Sequence, residues 1–173
     1  MIIRDAKKQE LEFIRKQRVE AYRDHVQAVP PEHWEALKGA ISSEADSQAE
    51  VEVIVAEIEG CIIGSVVLFP AESDAYDGYV DKLAYPEIRM LAVDRKARGK
   101  GAAYGLVAEC ISRAKKKGYK YIGLHTGEFM KDAMKLYERM GFERVPENDF
   151  VPADDGIVVK AFRRAVKVGE MEN

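Results

Sequence analysis

Cysteine, histidine and tryptophan are scarce in this 173-residue sequence, which holds two, three and one of them. Two cysteines cannot build a disulfide framework. Their settings, Cys61 in an apolar run and Cys110 on a periodic apolar stripe, are those of buried free thiols. His25, His33 and His125 show no ligand spacing with one another or with a cysteine, so no metal site is expected. No stretch approaches the ~20 apolar residues of a membrane span, and Met1-Ile2-Ile3-Arg4-Asp5 lacks a signal-peptide pattern, so the expected compartment is the cytoplasm. An excess of one charge is missing too. The 27 basic and 30 acidic residues leave a net charge of −3, which argues against general affinity for nucleic acid or an anionic membrane.

What is present suffices for a core. Hydrophobic residues make up 47% of the chain beside 33% charged ones, which excludes disorder of the whole and suits one domain of ordinary size. There is no internal repeat, low-complexity segment or linker, so a single domain over residues 1–168 is expected, with a frayed tail over 169–173.

Ile2-Ile3-Arg4 starts a strand, and Asp5 is placed to cap a charged helix that turns Leu11, Ile14 and Tyr22 inward. Pro30-Pro31 ends that helix, and Pro31 suits the first turn of a second one carrying Trp34, Leu37 and Ile41 on one side. Residues 51–58 and 61–69 are rich in β-branched side chains and read as a hairpin about Glu59-Gly60. The long loop over 70–86 holds Asp74, Asp77 and Asp81 beside Tyr76, Tyr79 and Tyr85. A strand over 88–93 precedes a helix whose Ala103, Leu106, Val107, Cys110, Ile111 and Ala114 form one stripe. Lys115-Lys116-Lys117 complements the negative end of its dipole, and Gly118 can take the left-handed cap. A strand over 119–125 follows, then a helix with Ala133, Leu136, Tyr137 and Met140 that Gly141 ends, then strands over 142–145 and 157–162. The order is β-α-α-β-β-β-α-β-α-β-β, an α/β (α+β) arrangement.

Strand, glycine-rich turn and helix follow one another through residues 88–117. Such a junction gathers free backbone N–H groups and the positive helix end around an anion. Gly99 and Gly101 let the backbone approach phosphate closely, Arg98 and Lys100 add positive charge, and a pyrophosphate is the natural guest. A glycine-rich helix entry with solvated basic residues is the plainer alternative. A P-loop needs G-x-x-x-x-G-K-[ST], but Gly101 follows Lys100; a dinucleotide fingerprint needs G-x-G-x-x-G, but Tyr104 stands at its third glycine.

Arg98-x-x-Gly101-x-Ala103 matches the R/Q-x-x-G-x-G/A signature of the GNAT-type N-acetyltransferases. Ala133-x-x-Leu136-Tyr137-x-x-x-Gly141-Phe142 is similar to that family's second motif, at the expected distance. The chain resembles the family over roughly residues 1 to 162, its N-terminal third by layout alone. The resemblance implies a mixed, mostly antiparallel central sheet of about seven strands flanked by about four helices. One departure is visible at Met130, where the family often has Asn three residues before the helix alanine; a backbone group or Asp132 could serve instead.

The resemblance also implies acetyl-CoA as cosubstrate, without a metal, and transfer of its acetyl group to a primary amine by direct attack on the thioester. The acceptor would be a small-molecule amine or a protein amino group, and its binding residues stay unknown. The pantetheine arm would pair with the backbone of Leu91, Ala92 and Val93. The pyrophosphate would sit on the amides of Gly99, Lys100, Gly101, Ala102 and Ala103, with Arg98 and Lys100 near its oxygens or elsewhere on the nucleotide. Tyr137 would protonate or hydrogen-bond the CoA sulfur, and the N–H of Leu91 or a neighbour would face the developing oxyanion. Glu87 is the candidate base, directly or through water, and His125 is a second; a surface glutamate and a structural histidine are the plainer alternatives. Trp34, Tyr22 and the loop tyrosines could line an acceptor pocket, and the loop aspartates could attract a cationic amine; core or surface packing and a solvated loop are the plainer alternatives. A non-catalytic acyl-CoA-binding regulatory module and a transferase of a longer acyl group stay open, and a homodimer is common among similar proteins.

Overall fold

The computed structural model describes residues 1–73 and 81–166. Among them β1 (Ile2–Asp5), α1 (Leu11–Tyr22), α2 (Pro31–Ile41), β2 (Glu52–Ile58), β3 (Cys61–Phe69), β4 (Glu87–Val93), α3 (Ala102–Lys116), β5 (Tyr121–Gly127), α4 (Lys131–Arg139), β6 (Glu143–Arg144) and β7 (Val159–Ala165) follow in the expected order. The strands form a seven-stranded sheet with neighbours in the order β1-β2-β3-β4-β5-β7-β6. β4 and β5 are parallel, whereas β1/β2, β2/β3, β5/β7 and β6/β7 are antiparallel. A parallel pair needs a crossover, and α3 supplies it. The described residues of 1–68 and 89–109 make one compact unit and those of 69–88 and 110–166 a second.

In the first unit, Val53, Ile54, Val55 and Ala56 of β2 are all buried. Successive strand side chains point to opposite faces, so β2 is covered on both, which is why its sequence runs continuously apolar instead of alternating. Glu59 and Gly60 join β2 to β3 with φ of 51° and 80°. Two positive φ values give the mirror-image turn that matches the twist of a hairpin. Cys61 follows this turn and is exposed, contrary to its expected burial, while Cys110 is buried; the two form no disulfide.

The N-terminal elements differ from expectation in two ways. Asp5 caps no helix: it ends β1 opposite Ile54, and a 3₁₀ turn over Lys8–Glu10 leads into α1. The buried face of α1 carries Ile14, Arg18 and Ala21, so a fully enclosed arginine stands where a charged helix pointed to solvent. Its Nη1 donates to the carbonyl of Ile41 at 2.7 Å and to Asp46 Oδ2 at 3.1 Å, and Arg15 closes on the same carboxylate at 2.6 Å. Burial lowers the Arg18 pKa while Asp46 opposes the fall. Removing one partner from such a buried pair strands the other charge.

The second unit is built on β5 and β7, whose Ile122, Leu124, Ala161 and Phe162 are buried together with Leu136 and Tyr137 of α4. Gly118 takes the left-handed cap with φ 83°. β6 shortens to two residues because Phe142 and Val145 turn inward, 3% and 4% exposed. β7 starts at Val159 and runs on to Ala165, later than the expected 157–162. Among the described residues no helix is long and apolar enough to cross a membrane, and no group of three His, Cys, Asp or Glu could hold a metal.

Two outcomes follow from this packing. A Cβ at Gly64 of β3 would stand 2.8 Å from the carbonyl oxygen of Ala92. Gly64→Val should therefore destabilise by roughly 1–3 kcal/mol in urea unfolding, since backbone, not a flexible side chain, must yield. Arg4 bonds Glu10 and Glu57, each at 2.9 Å, and Glu10 also accepts from the Lys7 amide at 2.7 Å. The Arg4 hydrogen bond is the first cause holding the Glu10 pKa at about 2, below its ordinary 4.5. A depressed carboxylate stabilises the fold above its ordinary range and loses that contribution as pH falls toward the folded value. Glu10→Gln should reduce the stability lost on acidification, modestly because the pair is partly solvated.

Candidate functional site

The glycine-rich turn lies wholly in the first unit. Asp94 accepts from the Lys96 amide at 3.1 Å, a short 3₁₀ turn covers Arg95–Ala97, and α3 begins at Ala102. Gly99 and Gly101 both have φ of 84°, a conformation that strains any other residue, which explains the two glycines. The Gly105 amide donates to the Gly101 carbonyl at 3.0 Å, so Gly101 caps the helix. The amides that follow it belong to the first turn, where an α-helix leaves its N–H groups without intrahelical partners. A Cβ at Gly99 or Gly101 would meet nothing within 4 Å. Donors, positive helix end and open space together fit a phosphate group.

The Arg98 side chain is engaged within the protein. Its guanidinium bonds Asp24 and reaches the carbonyls of Val93 at 3.3 Å and Ala21 at 3.5 Å, and Arg95 bonds the same aspartate. The Arg98 hydrogen bond is the main cause lowering the Asp24 pKa. Arg98 thus ties the exit of β4 to the chain just after α1, and Lys100 is exposed on the turn. The backbone amides of the turn, and not the Arg98 guanidinium, are the donors left facing open space.

Within β4, Ala92 is buried and Leu91 and Val93 are half-buried. Met90 has φ of 58° although it is not glycine. A left-handed residue inside a strand costs on the order of 1 kcal/mol or more and breaks the regular alternation of backbone groups. Nothing in the sequence signalled it, because methionine has no preference for that conformation.

Glu87 and His125 meet in the second unit. Glu87 opens β4 opposite Gly123 of β5, and its Oε2 lies 2.9 Å from His125 Nδ1. His125 Nε2 lies 3.0 Å from the backbone carbonyl of Asn148. The two side chains are 8% and 1% exposed, so Glu87 is no surface glutamate. Phe150 stands against the imidazole with ring centroids 5.5 Å apart. Tyr85 packs on Gly123, where a Cβ would come within 2.5 Å of its ring. Burial is the first cause raising the Tyr85 pKa and the charge of Glu87 the second. The two candidate bases, 38 positions apart, are thus one hydrogen-bonded pair.

Tyr137 sits on α4, 5% exposed, with its ring edge-on to Phe142 at 5.8 Å. The Tyr137 carbonyl accepts from the amides of Met140 and Phe142, which closes the helix and explains the fixed spacing from Tyr137 to Gly141-Phe142. Met130 is the N-cap of α4 without a side-chain cap, and the Thr126 hydroxyl lies 3.4 Å from its sulfur. Asp132 is exposed in the first turn. Trp34 is buried at 5%, which makes it core. Tyr22 is half-buried and stays a neutral phenol, pushed up to about 12 by burial against the pull of Arg18 and Arg89. Asp81 is exposed, whereas Asp74, Asp77, Tyr76 and Tyr79 lie outside the described residues. A recess of about 440 Å³ in the second unit is lined by Tyr121, Glu143, Arg144, Glu147, Arg163 and Arg164 among others, and contains none of the expected site residues.

Residues 12–142 match the sequence profile of the acetyltransferase (GNAT) family. N-acetyltransferase 8B of Homo sapiens is 32% identical over 100 residues, 56% of this chain and 40% of that protein. N-acetylaspartate synthetase of Danio rerio is 36% identical over 95 residues, 55% of this chain and 30% of that protein. The chain spans no more than half the length of the curated relatives it matches. Among solved structures, the PaiA N-acetyltransferase of Thermoplasma acidophilum in complex with coenzyme A has a TM-score of 0.67 at 17% identity, covering 95% of this chain and 98% of that one. A GNAT-family acetyltransferase of Staphylococcus aureus Mu50 has a TM-score of 0.67 at 15% identity, covering 96% and 99%.

One substitution tests how the pair is supported. Gly123→Ala should push the Tyr85 ring away and lower stability by about 1–3 kcal/mol in chemical unfolding, with a change in tyrosine fluorescence.

Proposed function

Because the chain belongs to the acetyltransferase (GNAT) family, we propose that it transfers an acetyl group from acetyl-CoA to a primary amine by direct attack on the thioester. The observation that carries this reading is the junction of β4 and α3: two glycines at φ 84°, first-turn amides at a helix N-terminus, and open space above them. A pyrophosphate bound there accepts backbone hydrogen bonds and gains from the helix dipole without a dedicated side chain. This suits an arginine already engaged by Asp24.

In this reading the backbone of Leu91, Ala92 and Val93 pairs with the pantetheine amides. Strain at Met90 re-aims the backbone of β4, which suits donation by the Leu91 N–H or a neighbour to the oxyanion. Tyr137 supplies the proton for the departing thiolate, and Glu87 takes the proton released by the attacking nitrogen. Nitrogen–carbon bond formation and carbon–sulfur bond cleavage then leave an amide and a free thiol. The acceptor is a small-molecule amine or an exposed amino group of a protein, and the cytoplasm is the proposed compartment.

Titration calorimetry with acetyl-CoA, followed by free-thiol release against a panel of amines, tests the whole reading. Gly101→Asp should abolish binding, because its carboxylate faces the phosphate and its backbone is strained at φ 84°. Unchanged affinity would remove the turn from the site. Tyr137→Phe should lower kcat about 10²-fold while leaving acetyl-CoA affinity nearly intact. An equal kcat would take the phenol out of the chemistry.

A further inference from the structure

We propose that Glu87 and His125 form a single proton-holding pair, and that this pair, not Glu87 alone, receives the proton released by the acceptor amine. Its role in transfer rests on the reading above; its existence does not.

Asn148 fixes one end of the pair. A carbonyl oxygen accepts hydrogen bonds and never donates, so the imidazole Nε2 at 3.0 Å must carry a hydrogen. That assigns the other ring nitrogen. Nδ1 faces Glu87 Oε2 at 2.9 Å, and without a proton between them a lone pair would oppose a carboxylate oxygen. Side chains 1% and 8% exposed leave little water to relieve such a contact. A hydrogen bond of this length needs one proton in the bridge. Carboxylate with imidazolium and carboxylic acid with imidazole are two drawings of the same composition, so the bridging proton belongs to both residues.

The surroundings hold the pair in place. His125 packs against Phe150, and Tyr85 lies beside Glu87 with hydrogen bonds to Asn148 and Arg163. Among the described residues, Tyr85 feels the charge of Glu87 and Asp149 feels that of His125, and Arg163 reaches the pair only through Tyr85. Asp149 accepts from Arg144 and from the Ala161 amide at 2.8 Å, and Arg163 stacks over Tyr121 at 4.3 Å. His125 therefore has its orientation fixed at both nitrogens.

The Glu87 side chain is the more exposed of the two side chains, so protons enter and leave through its carboxyl group while His125 acts as a positioning residue. In the reaction the nitrogen forms its bond to the acetyl carbon and gives a proton to Glu87, whose bridging proton stays with His125. The carbon–sulfur bond breaks, and the thiolate takes the proton of Tyr137. The pair then releases the extra proton to solvent, which reprotonates Tyr137.

Nitrogen-15 NMR on the histidine-labelled full chain decides the first half without any turnover. Only three histidines contribute, and His125→Gln identifies the signals of the third. The expected result is a protonated Nε2 throughout the folded pH range and a slowly exchanging downfield proton associated with Nδ1. In Glu87→Gln, whose amide can donate to Nδ1, that bridging proton should vanish while the Nε2 hydrogen remains. A His125 with unprotonated Nε2, or one whose signals Glu87→Gln leaves unchanged, overturns the pair.

The kinetic half uses the acceptor found by thiol release. Glu87→Gln should lower kcat/KM about 10²-fold, and His125→Gln should displace the acidic limb of the pH profile without changing acetyl-CoA affinity. An undisplaced limb overturns the role of the pair in transfer. The NMR signature in a protein that binds no acetyl-CoA would sustain the pair and overturn the transferase reading instead.

Discussion

The strand β4 is constrained at three points along its length. Where its carbonyl at Ala92 approaches β3, only a glycine fits at position 64. At Met90 the chain turns through φ 58° against the preference of its side chain. At Glu87 and Ile88 it pairs in parallel with Gly123 and Leu124. Strain of this kind persists only where surrounding contacts over-determine the backbone, and Met90 is buried within the strand. The strand then leads through Asp94 into the turn whose amides open α3.

Buried polar groups supply the second layer of constraint. Arg18, Arg15 and Asp46 knit α1 to the segment after α2, and Arg98 and Arg95 meet on Asp24. Glu87 and His125 anchor the segment around Asn148 in the same manner. Each arrangement joins residues far apart in sequence through groups that are costly to leave unpaired. None adds much net stability by itself, yet each penalises alternative placements of its loop. A site built on short connections gains its order this way.

The glycine turn and α4 were legible because their chemistry is local. Positive φ at two positions demands glycine, a helix N-terminus demands nothing else, and the distance from Tyr137 to Gly141-Phe142 is set by helix termination. Apolar periodicity likewise revealed α3, because a helix must bury one stripe. Helix starts were less legible. Asp5 has the chemistry of a cap and instead completes a strand, since pairing with Ile54 outweighs a local preference. Cys61 sits in an apolar run yet lies exposed beside a tight turn.

By itself the sequence determined the order of elements, the phosphate-fitting turn and the candidate tyrosine, all written in spacings of a few residues. Tertiary structure alone decided that Arg18 is enclosed, that Arg98 is engaged by Asp24, and that Glu87 and His125 share a hydrogen bond. The physical reason is separation along the chain. A turn or helix declares itself through its own backbone, whereas the partner of a buried charge is chosen by strand register and packing, and a glutamate reads the same in sequence whether it faces water or a histidine 38 residues away.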